Sequence, residues 1–274
     1  MSLQYKALSI AGFDGSGGAG IQADLKTFSA FGCYGMTVLT ALPVQNTQGV
    51  KSCYPIPLQA IEEQLEAIFE DIKPDSIKIG MLFNSDIIEL VANFLKRQAQ
   101  GIPLVLDPVI VAKGGAALLV PEALESLKTH LIPLATVITP NLPEAEALTA
   151  RAIHSTTEML EVAQELIDLG AQNVLLKGGH LAEAHSNDLL LSAERNENWL
   201  TSPRVRSKNT HGTGCTLSAA IASGLAQGLD LLSACQLAKR YIYHAIDAAK
   251  DEKIGHGQGP VHHFYHLWPT INLI

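Results

Sequence analysis

Short apolar runs alternate with segments of helical periodicity along almost the whole chain. In segment 58–72, apolar residues recur at helical spacing and glutamates fill the positions between them, which is typical of an amphipathic helix. The same pattern predicts strands at 8–11, 36–42, 77–79, 104–106, 136–138 and 174–177, and a later antiparallel strand at 189–191. It predicts further helices at 21–31, 85–98, from Pro121 onward, and at 143–150, 156–169, 214–227 and 231–250.

This alternation of strands and helices predicts an α/β fold, with a mostly parallel central sheet flanked by helices on both faces. The sequence contains no fixed-period repeat, low-complexity linker or block of like charge, so we expect one domain spanning residues 1–274. In open sheets of this class, ligands bind in the loops that follow the carboxyl ends of the strands. The candidate chemistry is therefore sought in those loops.

Composition narrows the function classes. The chain has 274 residues, 47% of them hydrophobic and 17% charged, and a net charge of −8, which favours a large buried core and makes nucleic acid or an anionic membrane a poor partner. The first residues lack the apolar stretch of a signal peptide, so we expect a cytoplasmic protein. The chain has four cysteines: Cys33, Cys53, Cys215 and Cys235. They form no C-x-x-C pair, which disfavours a structural zinc site.

A glycine-rich loop follows the first predicted strand. Gly15, Gly17 and Gly20 satisfy G-x-G-x-x-G, but no acidic residue ends the next strand and no Gly-Lys-Ser/Thr follows, so neither a dinucleotide site nor a P-loop is indicated. Two alternatives stay open, a tight turn for helix packing or a backbone-lined floor for a small flat ligand. Asp24 is either a solvated acid near a helix start or an acceptor for the amino group of a heterocyclic ligand. Gln45, after the second predicted strand, could hydrogen-bond the same ring.

A second glycine cluster, Gly212, Thr213 and Gly214, leads directly into an apolar helix. Free backbone N–H groups at such a helix start form an anion site, which suits a phosphoryl group in transfer. Cys215 falls in the first helical turn, where the helix dipole is expected to lower the pKa of its thiol. The alternative is a simple helix cap with a buried cysteine.

Polar residues follow several other predicted strands. Asp107 and Glu144 together are candidates to hold Mg²⁺ through waters, although singly each fits a cap or a surface acid. Asn141 lies beside Glu144, and Lys177 ends a strand where it could neutralise a phosphate. The histidines of segment 255–266 allow a metal site, but nothing upstream completes a ligand set, and we interpret them as surface residues.

Taken together, these segments resemble the hydroxymethylpyrimidine/phosphomethylpyrimidine kinase family of the ribokinase-like superfamily. The matching segments follow the family's order over nearly the whole chain: 11–12, 16–28, 45–47, 78–81, 106–109, 139–141 with Glu144, 176–179 and 209–216. Two departures stand out. Phe13 and Gly15 alter the first loop, and Ala116–Ala117 follow Lys113 in a segment that the resemblance makes a mobile flap.

The resemblance implies a single-domain ribokinase-like fold that uses ATP and Mg²⁺ to phosphorylate a small pyrimidine and then its monophosphate, in a homodimer. It implies a pyrimidine pocket lined by Gly12, Asp24, Gln45, Met81 and Val109. It assigns Asp107, Asn141 and Glu144 to the Mg–ATP side and Lys177, His211 and Lys239 to nucleotide or phosphate contacts. It makes Gly212, Thr213 and Gly214 an anion hole and Cys215 the catalytic residue. Two rivals stay open, pyridoxal kinase activity on the same fold and a non-catalytic vitamin-binding protein.

Overall fold

The computed structural model describes residues 4–110, 119–120, 122–181 and 184–268. Its main sheet has eight strands in the order β10-β9-β8-β7-β6-β5-β1-β2, and β3 and β4 form a separate two-stranded sheet. The strands are β1 (Lys6–Ala11), β2 (Tyr34–Leu39), β3 (Ala41–Asn46), β4 (Gly49–Pro55), β5 (Ser76–Ile79), β6 (Leu104–Leu106), β7 (Val137–Ile138), β8 (Asn173–Lys177), β9 (His185–Ser192) and β10 (Glu197–Pro203). Strands β2, β1, β5, β6, β7 and β8 pair in parallel, whereas β9 is antiparallel to both of its neighbours.

Helices cover both faces of this sheet. They are α1 (Gly20–Ala30), α2 (Leu58–Asp71), α3 (Ser85–Gln98), α4 (Ala123–Ser126), α5 (Leu142–Thr149), α6 (Thr156–Asp168), α7 (Thr213–Ala226) and α8 (Leu231–Ala249). Residues of α2 to α6 pack in one apolar cluster on one face, and residues of α1, α7 and α8 pack in a second cluster on the other. The central strands are buried from both sides, which explains their continuous apolar runs.

Local sequence signals explain where several helices begin. Asn84 caps α3 by accepting a hydrogen bond from the backbone N–H of Ile87 at 3.0 Å, and Asp86 in the first turn suits the helix dipole. Ser155 caps α6 and Asp230 caps α8 in the same way. Helix α7 differs, because its N-cap is Gly212 in a left-handed conformation and no side chain caps it.

The predicted α/β class, with a mostly parallel sheet covered on both faces, is confirmed, and the single domain stays a prediction. The predicted strand 36–42 was wrong in extent, because the chain ends β2 at Leu39 and starts the hairpin of β3 and β4. That hairpin and β10 were missed, since the exposed Leu42 and Val44 of β3 are as apolar as its buried residues and the sequence of β10 is mostly polar. The predicted flap at Lys113–Ala117 and the helix start at Pro121 lie outside the described residues.

No helix in the described part of the chain is both long and apolar enough to cross a membrane.

Candidate active site

The carboxyl ends of the parallel strands gather the charged residues that the sequence singled out. Asp107 follows β6 and Lys177 ends β8, and the Lys177 ammonium lies 2.9 Å from Oδ1 of Asp107. Thr139, after β7, donates a hydrogen bond to the same Oδ1 at 3.1 Å. Asp107 is 2% exposed, so this ion pair is largely removed from water. Burial alone would lower the pKa of Lys177, but the Asp107 and Glu144 carboxylates raise it above its usual value.

The second glycine cluster lies directly against this ion pair. A Cβ atom placed on Gly214 would stand 3.3 Å from the Lys177 ammonium and 3.4 Å from Oδ2 of Asp107. The first residues of α7 therefore lie against a lysine and a buried aspartate, and no side chain caps them, although the Thr213 N–H donates to the Thr210 carbonyl at 3.4 Å. This combination of a helix start and a cation is suited to an anion such as a phosphate.

The two glycine clusters also touch each other. Gly212 has a φ of +76°, and a Cβ atom there would stand 1.7 Å from the carbonyl oxygen of Gly18. Gly20 has a φ of +55°, and its Cβ atom would stand 2.4 Å from the carbonyl oxygen of Gly12. Glycine is therefore required at both positions for close backbone packing as well as for conformation.

A residue that the sequence analysis left out, Asp14, organises the first loop. Its carboxylate is buried and accepts hydrogen bonds from the backbone N–H groups of Ser16, Gly18 and Ala19 at 2.9, 3.1 and 2.7 Å. Its Oδ2 also lies 2.8 Å from Nε2 of His211. Burial alone would raise the pKa of Asp14, but the hydrogen bonds from His211 and Ser16 hold it well below its usual value. The first loop therefore already contains its own anion.

Asp24 is not the solvated acid of a helix start. Its side chain is 0% exposed, and its Oδ2 accepts hydrogen bonds from Ser9 at 2.5 Å and from Lys78 at 2.8 Å. Lys78, on β5, is equally buried, and although burial would lower its pKa, Asp24 and neighbouring acids raise it. Among the residues that the structure describes, Oδ1 of Asp24 is the one buried side-chain nitrogen or oxygen atom without a hydrogen-bond partner.

Cys215 lies in the first turn of α7, as predicted, and is half-buried. The prediction of a lowered thiol pKa was wrong for the protein without ligands, because desolvation raises the pKa of Cys215 to about 11. Lys78 and the backbone N–H of Gly20 oppose this effect without overcoming it. Burial also raises the pKa of Cys33 and of Cys53, and raises that of Cys235 to about 12.

Glu144 and Asn141 form a capping box at the start of α5. The Glu144 carboxylate accepts from the Asn141 backbone at 2.8 Å, and the Asn141 side chain accepts from the Glu144 backbone at 2.9 Å. Glu144 is 6% exposed, and burial raises its pKa to about 7 against the opposing charge of Lys177. Both residues thus have a structural partner, and Glu144 remains within electrostatic range of the pair of Lys177 and Asp107.

The described residues contain no group of three or more metal-binding side chains. Asp107 and Glu144 nevertheless fit Mg²⁺, which keeps several waters and needs only one or two carboxylates besides them. The buried Glu144, whose proton affinity is raised, is also the kind of acid that a cation would favour in its charged form.

The remaining predicted phosphate contacts have protein partners. The Lys239 ammonium lies 2.6 Å from Asp188 and 3.1 Å from the hydroxyl of Ser186, so it is an ion-paired residue behind β9. Asp188 also accepts a hydrogen bond from the backbone of Gly178 at 3.0 Å, which connects Lys239 to the loop after Lys177. His211 lies beside the second glycine cluster, and its ring pairs with Asp14 as described above.

The predicted pyrimidine-pocket residues are only partly brought together. A Cβ atom on Gly12 would stand 3.1 Å from the sulfur of Met81, and the Met81 carbonyl accepts from Thr40 at 2.6 Å. Gln45 is half-buried at a bulge in the hairpin of β3 and β4. Val109 is half-buried two residues after Asp107, and its backbone donates to the Asp107 carbonyl at 2.8 Å.

The C-terminal segment is not a surface tail at every position, contrary to expectation. His263 is 4% exposed, lies 3.0 Å from the hydroxyl of Thr216, and has its pKa lowered by burial to about 3. Gly257 and Gly259 pack against Thr47 and Asn209, where a side chain would clash. This segment supports the loop that precedes α7.

Four residues of the site were not predicted as site residues from the sequence: Asp14, Ser9, Lys78 and Asp188. A buried lysine at the centre of an apolar strand was the available signal for Lys78, because a charge is rarely fully buried unless it is paired. Asp14 carried a weaker signal, an aspartate that begins a glycine-rich turn.

Known proteins of similar sequence and fold identify the family of this chain. The sequence pattern of a family described as phosphomethylpyrimidine kinase matches residues 14–262. The chain belongs to that family. A hydroxymethylpyrimidine/phosphomethylpyrimidine kinase from Escherichia coli K12 is 50% identical over 268 residues, which cover 97% of this chain and 99% of the relative. A thiamine biosynthesis bifunctional protein from Geobacter sulfurreducens is 50% identical over 256 residues, which cover 93% of this chain and 51% of that protein.

A solved structure extends the likeness to three dimensions. An ADP complex of pyridoxal kinase from Bacillus subtilis superimposes with a TM-score of 0.87 at 41% sequence identity, covering 94% of this chain and 97% of the other. The ribokinase-like fold and the family expected from the sequence are therefore confirmed, and the chain is a kinase, a phosphate-transferring enzyme.

Proposed function

We propose that this kinase transfers the γ-phosphoryl group of ATP to the hydroxymethyl oxygen of 4-amino-5-hydroxymethyl-2-methylpyrimidine, and then to the resulting monophosphate, in thiamine synthesis. The observation that carries the reaction type is the uncapped start of α7 against the ion pair of Lys177 and Asp107. The likeness to the Escherichia coli relative supports the pyrimidine substrate, and the ADP complex of the Bacillus subtilis structure supports the nucleotide.

The charge of the transferring group has to be balanced by fixed donors, since phosphoryl transfer depends mainly on positioning and electrostatics. The backbone N–H groups of Gly212, Thr213 and Gly214 are the proposed anion hole, and Lys177 adds a cation at their side. Asp107 and Glu144 are the proposed Mg²⁺ ligands, through waters. Mg²⁺ in such sites neutralises phosphate oxygens.

Cys215 is the proposed proton acceptor for the attacking hydroxyl. A loose transition state releases that proton late, so orientation matters more than basicity. Because the pKa of the resting thiol is raised to about 11, the thiol has to give its own proton to solvent before it can accept that of the hydroxyl. The Lys177 ammonium favours that loss.

On the substrate side, Gly12, Gln45, Met81 and Val109 are the proposed lining of the pyrimidine pocket. Asp24 is the proposed acceptor for the ring amino group, and its unpartnered Oδ1 is the atom suited to that contact. Because Asp24 is 0% exposed, the contact requires the pocket floor to open when the ring binds. The proposed nucleotide contacts are Asn141, Lys177, His211 and Lys239, the last acting through Asp188 and Gly178.

We also propose a homodimer formed through the hairpin of β3 and β4. Leu42, Val44 and Tyr54 on this hairpin are 38%, 43% and 58% exposed, and Leu42 pairs with Tyr54 across it. Apolar side chains grouped in this way favour contact with another surface. Light scattering after gel filtration measures the mass, and a monomer at every concentration contradicts the dimer.

The decisive experiment measures ADP release by the purified protein with ATP, Mg²⁺ and either hydroxymethylpyrimidine or pyridoxal. We expect a higher kcat/KM for the pyrimidine. A higher value for pyridoxal would favour the pyridoxal kinase alternative, which the likeness to the Bacillus subtilis enzyme keeps in view. No ADP release with either substrate would leave the vitamin-binding alternative.

The role of Cys215 is tested with the same assay. Cys215→Ala should lower kcat by about 10²–10⁴, the usual range for a lost general base, while ATP still binds. Cys215→Asp should keep part of the activity, because a carboxylate can accept the same proton. Cys235→Ala is the matched control, since that buried cysteine of α8 lies outside the proposed site. A near-normal kcat in Cys215→Ala would remove Cys215 from the chemistry.

The metal proposal gives a pH dependence. Activity should be lost on addition of EDTA, and the Mg²⁺ concentration for half-maximal activity should rise as the pH falls below about 7, because Glu144 then gains a proton. Glu144→Gln should need more Mg²⁺ at every pH and should lose this pH dependence. Glu146→Gln is the control, since Glu146 lies on the same helix and hydrogen-bonds the backbone of Ile153. Full turnover in EDTA would contradict the metal site.

A further inference from the structure

A buried lysine lies under the start of α7, and none of the roles described above uses it directly. Lys78 on β5 is 0% exposed, and its ammonium lies 2.8 Å from Oδ2 of Asp24. A buried charge is costly even when paired, and replacing such a pair by apolar residues is often neutral for stability. A purely structural purpose therefore explains this lysine poorly.

The packing of β5 against α7 places Lys78 below the first turn of that helix. Ser76, two residues earlier on the same face of β5, donates to the carbonyl oxygen of Ala222 at 2.7 Å. Two strand residues advance about 6.6 Å toward the carboxyl edge. That distance corresponds to roughly four residues of an antiparallel helix, which leads to Ser218. Ser218 in turn hydrogen-bonds the carbonyl oxygen of Cys215 at 3.1 Å.

Helix α1 brings Asp24, the partner of Lys78, close to the first turn of α7 as well. Gly20 and Asp24 are four residues apart and share one face of α1. The start of α1 touches the start of α7, because a Cβ atom on Gly212, the N-cap of α7, would stand 1.7 Å from the Gly18 carbonyl oxygen and 3.1 Å from the Ala19 Cα. The pair of Lys78 and Asp24 therefore lies about one turn of α1 below this contact.

The charged groups that face the Cys215 thiol come from four elements. They are Lys78 on β5, Asp24 on α1, Asp107 after β6 and Lys177 at the end of β8. Both lysines are ion-paired, but Lys177 is assigned to the phosphate side of the site, whereas Lys78 is fully buried. Lys78 is the remaining cation, and its own carboxylate partner is shared with Ser9.

We propose that Lys78 is a positioning residue of the catalytic centre, whose buried ammonium, held by Asp24 and Ser9 below the start of α7, favours the thiolate of Cys215. Lys78 counteracts the desolvation that raises the thiol's proton affinity, and it is not itself in contact with the phosphoryl group. Its effect on catalysis rests on the proposed function of Cys215, whereas its effect on the thiol does not.

The test measures thiol reactivity in the free protein, without ATP or substrate. The rate of iodoacetamide alkylation of Cys215 is mapped by mass spectrometry over a series of pH values. Lys78→Gln, which removes the charge but can still donate to Asp24, should lower that rate about tenfold, because a nearby opposite charge shifts a pKa by about 1–3 units. Lys78→Arg should keep the rate near that of the wild type.

Three other cysteines serve as internal controls. Half-buried Cys53 should react at an unchanged rate, and buried Cys33 and Cys235 should stay protected as long as the fold is intact. Loosening of the structure would raise the alkylation of Cys215, so structural damage and loss of the charge act in opposite directions. An unchanged or faster reaction of Cys215, with Cys33 and Cys235 still protected, overturns the proposal.

If Lys78→Gln does not fold, the double variant Asp24→Asn/Lys78→Gln removes the pair as a unit. Its Cys215 should still react more slowly than in the wild type, because Lys78 acts on the thiol more strongly than Asp24 does. A rate at or above the wild-type rate overturns the proposal. The kcat of Lys78→Gln separates the effect of Lys78 on the thiol from the proposed catalytic role of Cys215. Slower alkylation with a normal kcat supports the effect on the thiol and excludes Cys215 from catalysis.

Discussion

The two glycine clusters of this kinase have similar sequences and opposite chemistry. In the first, the backbone N–H groups of Ser16, Gly18 and Ala19 are all used by the buried carboxylate of Asp14. In the second, α7 begins at Gly212 with no side-chain cap. The first cluster is therefore an anion nest filled by a side chain of the protein, whereas no side chain fills the second.

This difference shows that a glycine pattern predicts backbone geometry and not binding. What decides the chemistry is whether a side chain of the same loop satisfies the donors that the glycines release. Contact between the clusters then gives the filled nest a function, because Asp14 reaches His211 and fixes the residue before Gly212.

Removing the carboxylate that fills the first nest should have the largest effect on the free energy of unfolding. Asp14→Ala removes a buried acceptor of three backbone bonds and a histidine. We expect a loss of about 3–5 kcal/mol in the free energy of unfolding, as for a broken buried charge pair. The control is Asp230→Ala, at the N-cap of α8, where the loss should be about 1 kcal/mol. Urea unfolding measures both. Equal losses would contradict the filled nest.

The same variant tests the chemistry of the nest. Sulfate should stabilise Asp14→Ala more than it stabilises the wild type or Asp230→Ala, because it can replace the missing carboxylate. The lowered pKa of Asp14 also predicts how the free energy of unfolding changes with pH. Its stabilisation is fully present above its unfolded pKa of about 3.9 and is lost progressively as the pH falls from there through the much lower pKa of the folded state, so the difference between wild type and Asp14→Ala should shrink over this range. A difference that stays constant as the pH falls below about 3.9 excludes the charge as its cause.

Separating the two clusters comes next. Gly212→Ala would place a methyl group 1.7 Å from the Gly18 carbonyl at a φ of +76°. We expect a loss of about 2–5 kcal/mol, the sum of overpacking and backbone strain. Gly228→Ala has a similar φ of +83° but nothing within 4 Å, so its loss should be only the strain of about 1–2 kcal/mol. Similar unfolding curves for the two variants would show that the contact between the clusters is unimportant.

Much of the fold was predictable because it depends on local patterns. The amphipathic spacing of 58–72 and the start signals of α3 and α6 are set by neighbours in sequence. The hairpin of β3 and β4 was not predictable in this way. Its exposed face carries the large hydrophobic residues Val44 and Tyr54, so the sequence does not distinguish that face from the buried one. Strand β10 was missed because its sequence is mostly polar and Leu200 is its one buried residue.

The site was predictable only as a set of chain positions. Asp107 and Lys177 could be expected at one sheet edge, because both follow parallel strands. The pairing of Asp24 with Lys78 joins residues that are 54 positions apart, and nothing local in either segment requires it. The pKa of Cys215 was mispredicted because the helix start is visible in the sequence and the desolvation is not.

The smallest change adds one methyl group to each cluster. In Gly214→Ala the methyl group would stand 3.3 Å from the Lys177 ammonium and 3.4 Å from Asp107, and in Gly15→Ala it would stand 3.2 Å from the ring of Phe13. Neither position has the backbone conformation that disfavours alanine, so both variants should fold with a free energy of unfolding within about 1 kcal/mol of the wild type.

Their activities should nevertheless differ, because in the proposed function only the second cluster binds the nucleotide. Gly214→Ala occupies the space beside Lys177 where a phosphate would approach, and the KM for ATP should rise by about tenfold, equivalent to about 1.4 kcal/mol. Gly15→Ala should leave the KM for ATP unchanged, since the donors of its loop already bind Asp14. Steady-state kinetics at saturating pyrimidine measure both values. An equal rise in the two variants would mean that the first cluster also faces the nucleotide, and the distinction between a filled and an open nest would then fail.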